Sequence, residues 1–279
     1  MIIGGFVSSS GGVHAALTRA AENQFDFAMF FIGSPNSWHL PKLTDTESEL
    51  FKQTQKQTKI IRTYAHGLYL ANLATPDNVL WEKSVQALIT TMNNGYKINL
   101  TGVIFHLGSH KQTSTESGIE RVIKGMQKIL SETSGSTKLI MENSVKQGDK
   151  VGVDFNQLGQ ILKELDQSRV AICYDTCHGF ASGYNYVDPK SLDQLVLDIK
   201  TNVGTENVTC VHTNDSLGEL NNHKDRHANI GEGFIGRAGF KAFCTNPVFN
   251  NLDFILEVPG IEGNGPSIKD KQALLDCIN

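Results

Sequence analysis

Val170-Ala171-Ile172-Cys173-Tyr174-Asp175-Thr176-Cys177-His178 is a run of five apolar or aromatic residues that stops at a carboxylate, with an imidazole three positions on. A run this short and this uniformly apolar reads as a strand buried on both faces, as in a parallel sheet. The same reading recurs along the chain. His66 follows the run 60–65, His106 follows 102–105, Glu142 follows 138–141, His212 follows 208–211 and Glu257 follows 254–256. Six of eight candidate strands (2–7, 27–32, 60–64, 102–105, 138–141, 170–174, 208–211 and 254–256) therefore end in a metal-ligand residue type.

Between these strands lie amphipathic stretches that read as helices at 12–23, 46–58, 78–93, 116–132, 156–165, 189–201 and 237–245. Strands alternating with helices give a parallel sheet, either open and doubly wound or closed as a barrel. An open sheet gathers its ligand groups where the strand order reverses. A closed (β/α)8 TIM barrel brings every strand's C-terminal end to one mouth, and six such ends carrying ligand-type residues favour the barrel. A chain of 279 residues, with no linker, repeat or low-complexity tract, suits one such domain over 1–279.

No run of about 18 apolar residues occurs, and no basic residue precedes Arg19, so neither a membrane partner nor export is expected and the cytoplasm is the expected compartment. Five cysteines without CxxC spacing (Cys173, Cys177, Cys210, Cys244 and Cys277) read as buried packing in a reducing setting. The formal net charge of −4 argues against a nucleic-acid partner, but three bound divalent cations would reverse its sign.

His178, Asp225 and His227, placed in loops beyond strand ends, bring the set to nine: His66, His106, Glu142, Asp175, His178, His212, Asp225, His227 and Glu257. A lone histidine after a strand is more often a buried, hydrogen-bonded side chain than a ligand, and a lone carboxylate there is often a helix cap. Six together in one mouth would repel one another if unpaired, so cations are expected among them. Imidazole and carboxylate without thiolate suit zinc or manganese, and nine donors imply more than one ion. His14, His39 and His223 read as solvated surface residues, and His110 as a group orienting a ligand or capping a turn. The glycines in Ser8-Ser9-Ser10-Gly11-Gly12 and Gly231-Glu232-Gly233 match no phosphate-loop or dinucleotide fingerprint.

With these motifs the chain resembles the endonuclease IV family of apurinic/apyrimidinic endonucleases. The matching stretches are Asp175-Thr176-Cys177-His178-Gly179-Phe180-Ala181-Ser182-Gly183-Tyr184, His212-Thr213-Asn214-Asp215-Ser216 and Asp225-Arg226-His227-Ala228-Asn229-Ile230-Gly231-Glu232-Gly233. Phe105-His106-Leu107-Gly108-Ser109-His110, Glu142-Asn143 and Leu256-Glu257 support them, so the resemblance covers nearly the whole chain. It implies a zinc-dependent AP endonuclease on a TIM barrel with three zinc ions, manganese being an option at one site. His66, His106 and Glu142 would hold the first ion; Glu142 would bridge to a second completed by Asp175, His212 and Glu257; His178, Asp225 and His227 would hold the third. The implied substrate is duplex DNA containing abasic sites, cut on their 5′ side to leave a 3′-hydroxyl and a 5′-deoxyribose phosphate, with removal of 3′ blocking groups besides. Glu142 and Glu257 are the implied catalytic carboxylates, Tyr69 the DNA-contacting residue, and a monomer the expected state.

The chain also departs from that pattern. Phe6 stands where the family often has His, and Leu107 where it often has Pro. The segment Gly33-Ser34-Pro35-Asn36-Ser37-Trp38 carries no Arg of the kind that relatives insert into DNA, and Lys42 is the first cation after it. Weaker binding or altered handling of the flipped site is implied. Two rivals share some of the features: a metal-dependent sugar isomerase or epimerase of the xylose isomerase-like barrels, and a metal-stabilised DNA-binding protein without activity. The set His178, Asp225 and His227 speaks against the first, and ligands at an open mouth against the second.

Overall fold

The computed structural model describes residues 1–279. In chain order the elements are β1 (Ile2–Phe6), α1 (Val13–Glu22), β2 (Phe27–Phe31), α2 (Asp45–Thr58), β3 (Thr63–His66), α3 (Asn78–Lys97), β4 (Gly102–His106), α4 (Thr115–Ser131), β5 (Lys138–Glu142), α5 (Phe155–Lys163), β6 (Val170–Asp175), α6 (Thr176–Ala181), α7 (Pro189–Asn202), β7 (Val208–Thr213), β8 (Asp215–Ser216), β9 (His227–Ala228), α8 (Gly236–Thr245), β10 (Asp253–Leu256) and α9 (Ile268–Ile278). Eight strands close in the order β1-β10-β7-β6-β5-β4-β3-β2, every neighbouring pair parallel. The expected TIM barrel is thus the observed fold, and β8 and β9 form a separate antiparallel pair.

The helices start where short polar side chains can satisfy otherwise orphaned N–H groups. Thr44, Asp77, Ser114, Asp154, Asp188 and Ser267 each accept a backbone N–H at a helix start, and Pro189 begins α7 with its fixed φ. The helices pack their apolar faces on the barrel through a core of 58 buried residues. A second core of nine, among them Phe27, Met29, Tyr64, Ile104, Ile140 and Ile255, fills the barrel's interior. Gly4 makes room for it: a Cβ there would collide with the Phe27 ring. At the opposite end to the mouth, buried Asp253 accepts from Arg62 at 2.5 Å and from the Tyr64 hydroxyl at 2.6 Å. The interior is therefore packed and plugged below, and only the strands' C-terminal ends open to solvent.

The observed elements depart from the expected ones in four places. Residues 60–62 precede β3: Ile61 N–H donates to Asp26 O, just before β2, Arg62 O accepts from Ala28 N–H in β2, and Ile60 O accepts from Gln55 of α2. His178 lies in helix α6 and His227 in strand β9, rather than in the expected loops. The last helix, α9, has no counterpart among the expected elements; a capping box of Ser267 and Asp270 starts it. No helix is long and apolar enough to cross a membrane.

Candidate metal centre

His66, His106, Glu142 and Asp175 are the terminal residues of β3, β4, β5 and β6, His212 is the penultimate residue of β7, and Glu257 immediately follows β10. The parallel register sets His106 beside Glu142 and Asp175 beside His212. The structure brings all nine candidate residues together in overlapping sets whose donor atoms lie within 4.8 Å of one another: His66, His106 and Glu142; Glu142, Asp175, His212 and Glu257; His178, Asp225 and His227. Glu142 joins the first two sets and is fully buried. Its oxygens lie 3.1 Å from His212, 3.3 Å from His66 and 3.5 Å from both His106 and His178.

The imidazoles are held from behind. Nδ1 of His66 lies 2.8 Å from Gly67 O, Nδ1 of His178 2.8 Å from Asn143 O, and Nδ1 of His227 3.4 Å from Glu257 O. With a cation bound, a donor hydrogen on Nδ1 would fix the tautomer and leave Nε2 with its lone pair directed at the ion. His178 Nε2 and His227 Nε2 then face the Asp225 carboxylate at 3.2 and 3.4 Å. Asp175 is at once a site residue and a helix cap, because its Oδ1 accepts the His178 N–H at 2.7 Å. Its other oxygen accepts from Asn214 Nδ2 at 2.6 Å, while Asn143 Oδ1 accepts the Asp175 N–H at 2.6 Å.

Burial opposes charge throughout the cluster, yet charge persists. At Glu142 the pull of His106 and His212 overcomes burial and holds the carboxyl well below its ordinary range. Burial likewise disfavours imidazolium at His178, but Asp175, Asp225 and Glu142 push it up to about 10; at His212, Glu142 and Glu257 do the same, to about 10. His106, where burial dominates, falls to about 4. Carboxylates thus draw positive charge into a place that excludes water. Glu142 Oε1, both nitrogens of His212, and Nε2 of His178 and His227 are buried without a hydrogen-bond partner. Orphaned donors of this kind, oxygen and imidazole nitrogen converging in three sets, fit divalent cations of the zinc or manganese type.

The remaining candidates separate cleanly. Cys177 comes near Asp175 and His227, but burial raises its thiol pKa, and the Sγ lies 3.5 Å from Arg226 O, so it packs as a thiol. The His110 ring makes no hydrogen bond through Nδ1; the residue's carbonyl instead accepts from the Thr113 hydroxyl at 2.6 Å. His39 and His223 are exposed and His14 half-buried, all three outside the cluster. Phe6 stacks on His66 with ring centroids 5.8 Å apart, and Phe31 meets the same ring edge-on, giving that imidazole an apolar wall. Tyr69, packed edge-on against Phe31, leaves 52% of its surface open. Asn143, Asn214 and Asp215 have positioning roles that the sequence reading does not assign, although all three sit at strand ends beside candidate ligands.

The nine residues lie at or beneath a cavity of about 780 Å³, lined by Glu142, His106, His178, Asp225, His227 and Glu257 together with Tyr69, Lys111, Lys150 and Arg226. Comparison with known proteins agrees with this arrangement of strands. The family described as a xylose isomerase-like TIM barrel matches residues 17–277. A probable endonuclease 4 of Halothermothrix orenii is 32% identical over 270 residues, covering 96% of this chain and 97% of its own length. One from Thermotoga maritima is 35% identical over 251 residues, covering 89% and 86%. The solved endonuclease IV from Thermus thermophilus superposes with a TM-score of 0.86 at 29% identity, covering 99% of both chains. A D-tagatose 3-epimerase-like protein shares the fold alone, with a TM-score of 0.76, 15% identity, and 99% and 97% coverage.

Proposed function

The chain belongs to the endonuclease IV family and is a nuclease of DNA repair, and from that premise we propose that it hydrolyses the phosphodiester on the 5′ side of abasic sites in duplex DNA, leaving a 3′-hydroxyl and a 5′-deoxyribose phosphate. Removal of blocking groups from 3′ ends belongs to the same proposal, since it needs only a phosphodiester or phosphomonoester presented at the same mouth. The observation that carries this reading is the sharing of Glu142 between two donor sets with a third, His178, Asp225 and His227, alongside them under one open cavity.

In this proposal three zinc ions are held by the three sets, Glu142 belonging to two of them, with manganese an alternative at one. Such ions, when bound, act as Lewis acids that lower the pKa of water toward about 7 and offset charge on phosphoryl oxygens. Glu257 Oε2 accepts from Asn214 Nδ2 at 3.5 Å and lies 3.3 Å from His212 Nδ1, and the residue lines the cavity. Its other oxygen is free to orient the attacking water and accept its proton. Tyr69 offers an exposed ring at the rim, suited to stacking on a base beside the lesion, where a missing partner already lowers the cost of extruding a nucleotide.

Metal-loaded protein is expected to cut a duplex carrying one abasic analogue immediately 5′ of the lesion, and to lose that cut on chelation and regain it with added zinc. Gel resolution of the products checks this. Intact DNA together with turnover of a ketose or aldose would move the assignment to a sugar isomerase.

A further inference from the structure

The loops that follow β4 and β5 are joined across the mouth. Ser109 and Lys150 form an antiparallel bridge, His110 N–H donates to Asp149 O at 2.9 Å, and Val151 N–H donates to Gly108 O at 3.0 Å. Asp149 Oδ2 also accepts the Gln112 N–H at 2.8 Å. That bond accompanies an uncommon backbone, since Lys111 and Gln112 are consecutive non-glycine residues with φ of 47° and 66°. Side chains rarely adopt this region, and surroundings must hold it in place. The effect is a rigid platform bearing two lysines, and both line the cavity above the candidate metal residues. Lys150 Nζ stands 3.6 Å from Asp225 Oδ2, and Lys111 is exposed beyond it.

The neighbouring stretch of the rim, from the β3 loop and the start of α3, differs in chemistry: Tyr69, Leu70 and Leu80 line the cavity there without a cation, and Asn72 ties that loop to Ser109 of the β4 loop. A chain of net charge −4 must hold a polyanion by local cations, and residues 33–41 offer none. We propose that Lys111 and Lys150 bind backbone phosphates of the DNA strand next to the linkage that is cut. The duplex then crosses the mouth with its phosphates over the joined β4 and β5 loops and its exposed bases toward Tyr69. This rests on the nuclease reading above. It gives Lys150 a role beyond neutralising Asp225, whose charge the His178, Asp225 and His227 set would share with a cation.

The test is equilibrium binding of metal-loaded protein to a duplex with an abasic analogue and a phosphorothioate at the linkage on its 5′ side, from about 50 to about 200 mM salt. Each of Lys111→Gln and Lys150→Gln is expected to reduce the slope of log affinity against log salt by about 0.9, and the double variant by about 1.8. The deficit of each single variant at the low-salt end should accordingly shrink about threefold by the high-salt end. Bound metal should stay at the wild-type level, Lys150→Arg should restore the slope, and Lys163→Gln, on α5 away from the mouth, should leave it unaltered. A wild-type slope in the double variant overturns the proposal, as does loss of metal in Lys150→Gln, which would make that lysine a support for Asp225. If the wild-type protein incises and binds while the double variant keeps its slope, this inference alone fails; if the wild-type neither binds nor incises, it falls together with the nuclease reading.

Discussion

Glu142→Gln is expected to lower the incision rate by about a thousandfold, roughly 4 kcal/mol of barrier at about 1.36 kcal/mol per factor of ten. The substitution is nearly isosteric, so its effect is electronic. A carboxylate can be shared between two cations because both oxygens accept, whereas an amide has a single accepting oxygen and presents N–H groups on the other side. Four imidazoles surround those oxygens at 3.1 to 3.5 Å, and the residue is wholly buried, so no water can replace the lost acceptor. Charge acts in the same direction, because the carboxyl now held well below its ordinary range by His106 and His212 would become neutral. Elemental analysis should find the variant depleted of metal at the first two sets, and circular dichroism should find the barrel folded. Full activity with full metal would remove Glu142 from the centre of the site.

Why so much of this site is legible in the sequence lies in how a barrel delivers residues. The apolar runs ending at His106, Glu142 and Asp175 need no tertiary information, because parallel strands in register bring their C-terminal ends to one rim. The features that escape the sequence depend on contacts that periodicity cannot encode. The start of β3 is displaced because Ile60 and Ile61 are as apolar as the strand that follows, while their backbone groups bond outside the ladder. Helix α6 is invisible as a helix because its six residues are all buried, so no amphipathic pattern marks it. Asn143 and Asn214 carry polar side chains like many loop residues, and their roles emerge only when Asp175 is found between them. Lys150 carries no signal of its own because a lysine in a loop is ordinarily solvated, and its position depends on the bridge to Ser109, 41 residues earlier in the chain.

Asp215→Asn should destabilise the fold and the third donor set together. The Asp215 carboxylate is buried at the start of β8 and gathers the returning chain: Oδ1 accepts the N–H of Ser216 at 2.8 Å and of Ile235 at 2.9 Å, and Oδ2 those of Gly231 at 2.9 Å and Gly233 at 3.0 Å. An amide in its place turns an NH2 group toward one pair of these donors. At about 1–3 kcal/mol for each buried donor left without a partner, the loss for the pair is about 2–6 kcal/mol. For a chain of this size that lowers Tm by roughly 4–12 °C, readable by calorimetry. The consequence reaches the chemistry because β8 pairs with β9, Ser216 lying opposite His227. Loosening that pairing should misplace His227 and, through the same loop, Asp225, while His66, His106 and Glu142 stay on intact barrel strands. Residues that support a ligand from behind typically influence metal affinity or activity by about 10–100-fold, so incision should fall by about that factor with partial loss of metal. Gly233→Ala gives an independent check, since a Cβ there would press on the Asp215 carboxylate and the Ser216 carbonyl, and it should move Tm in the same direction. A wild-type Tm and metal content in both variants would mean that the β8–β9 return holds itself, and that His227 is positioned by the barrel alone.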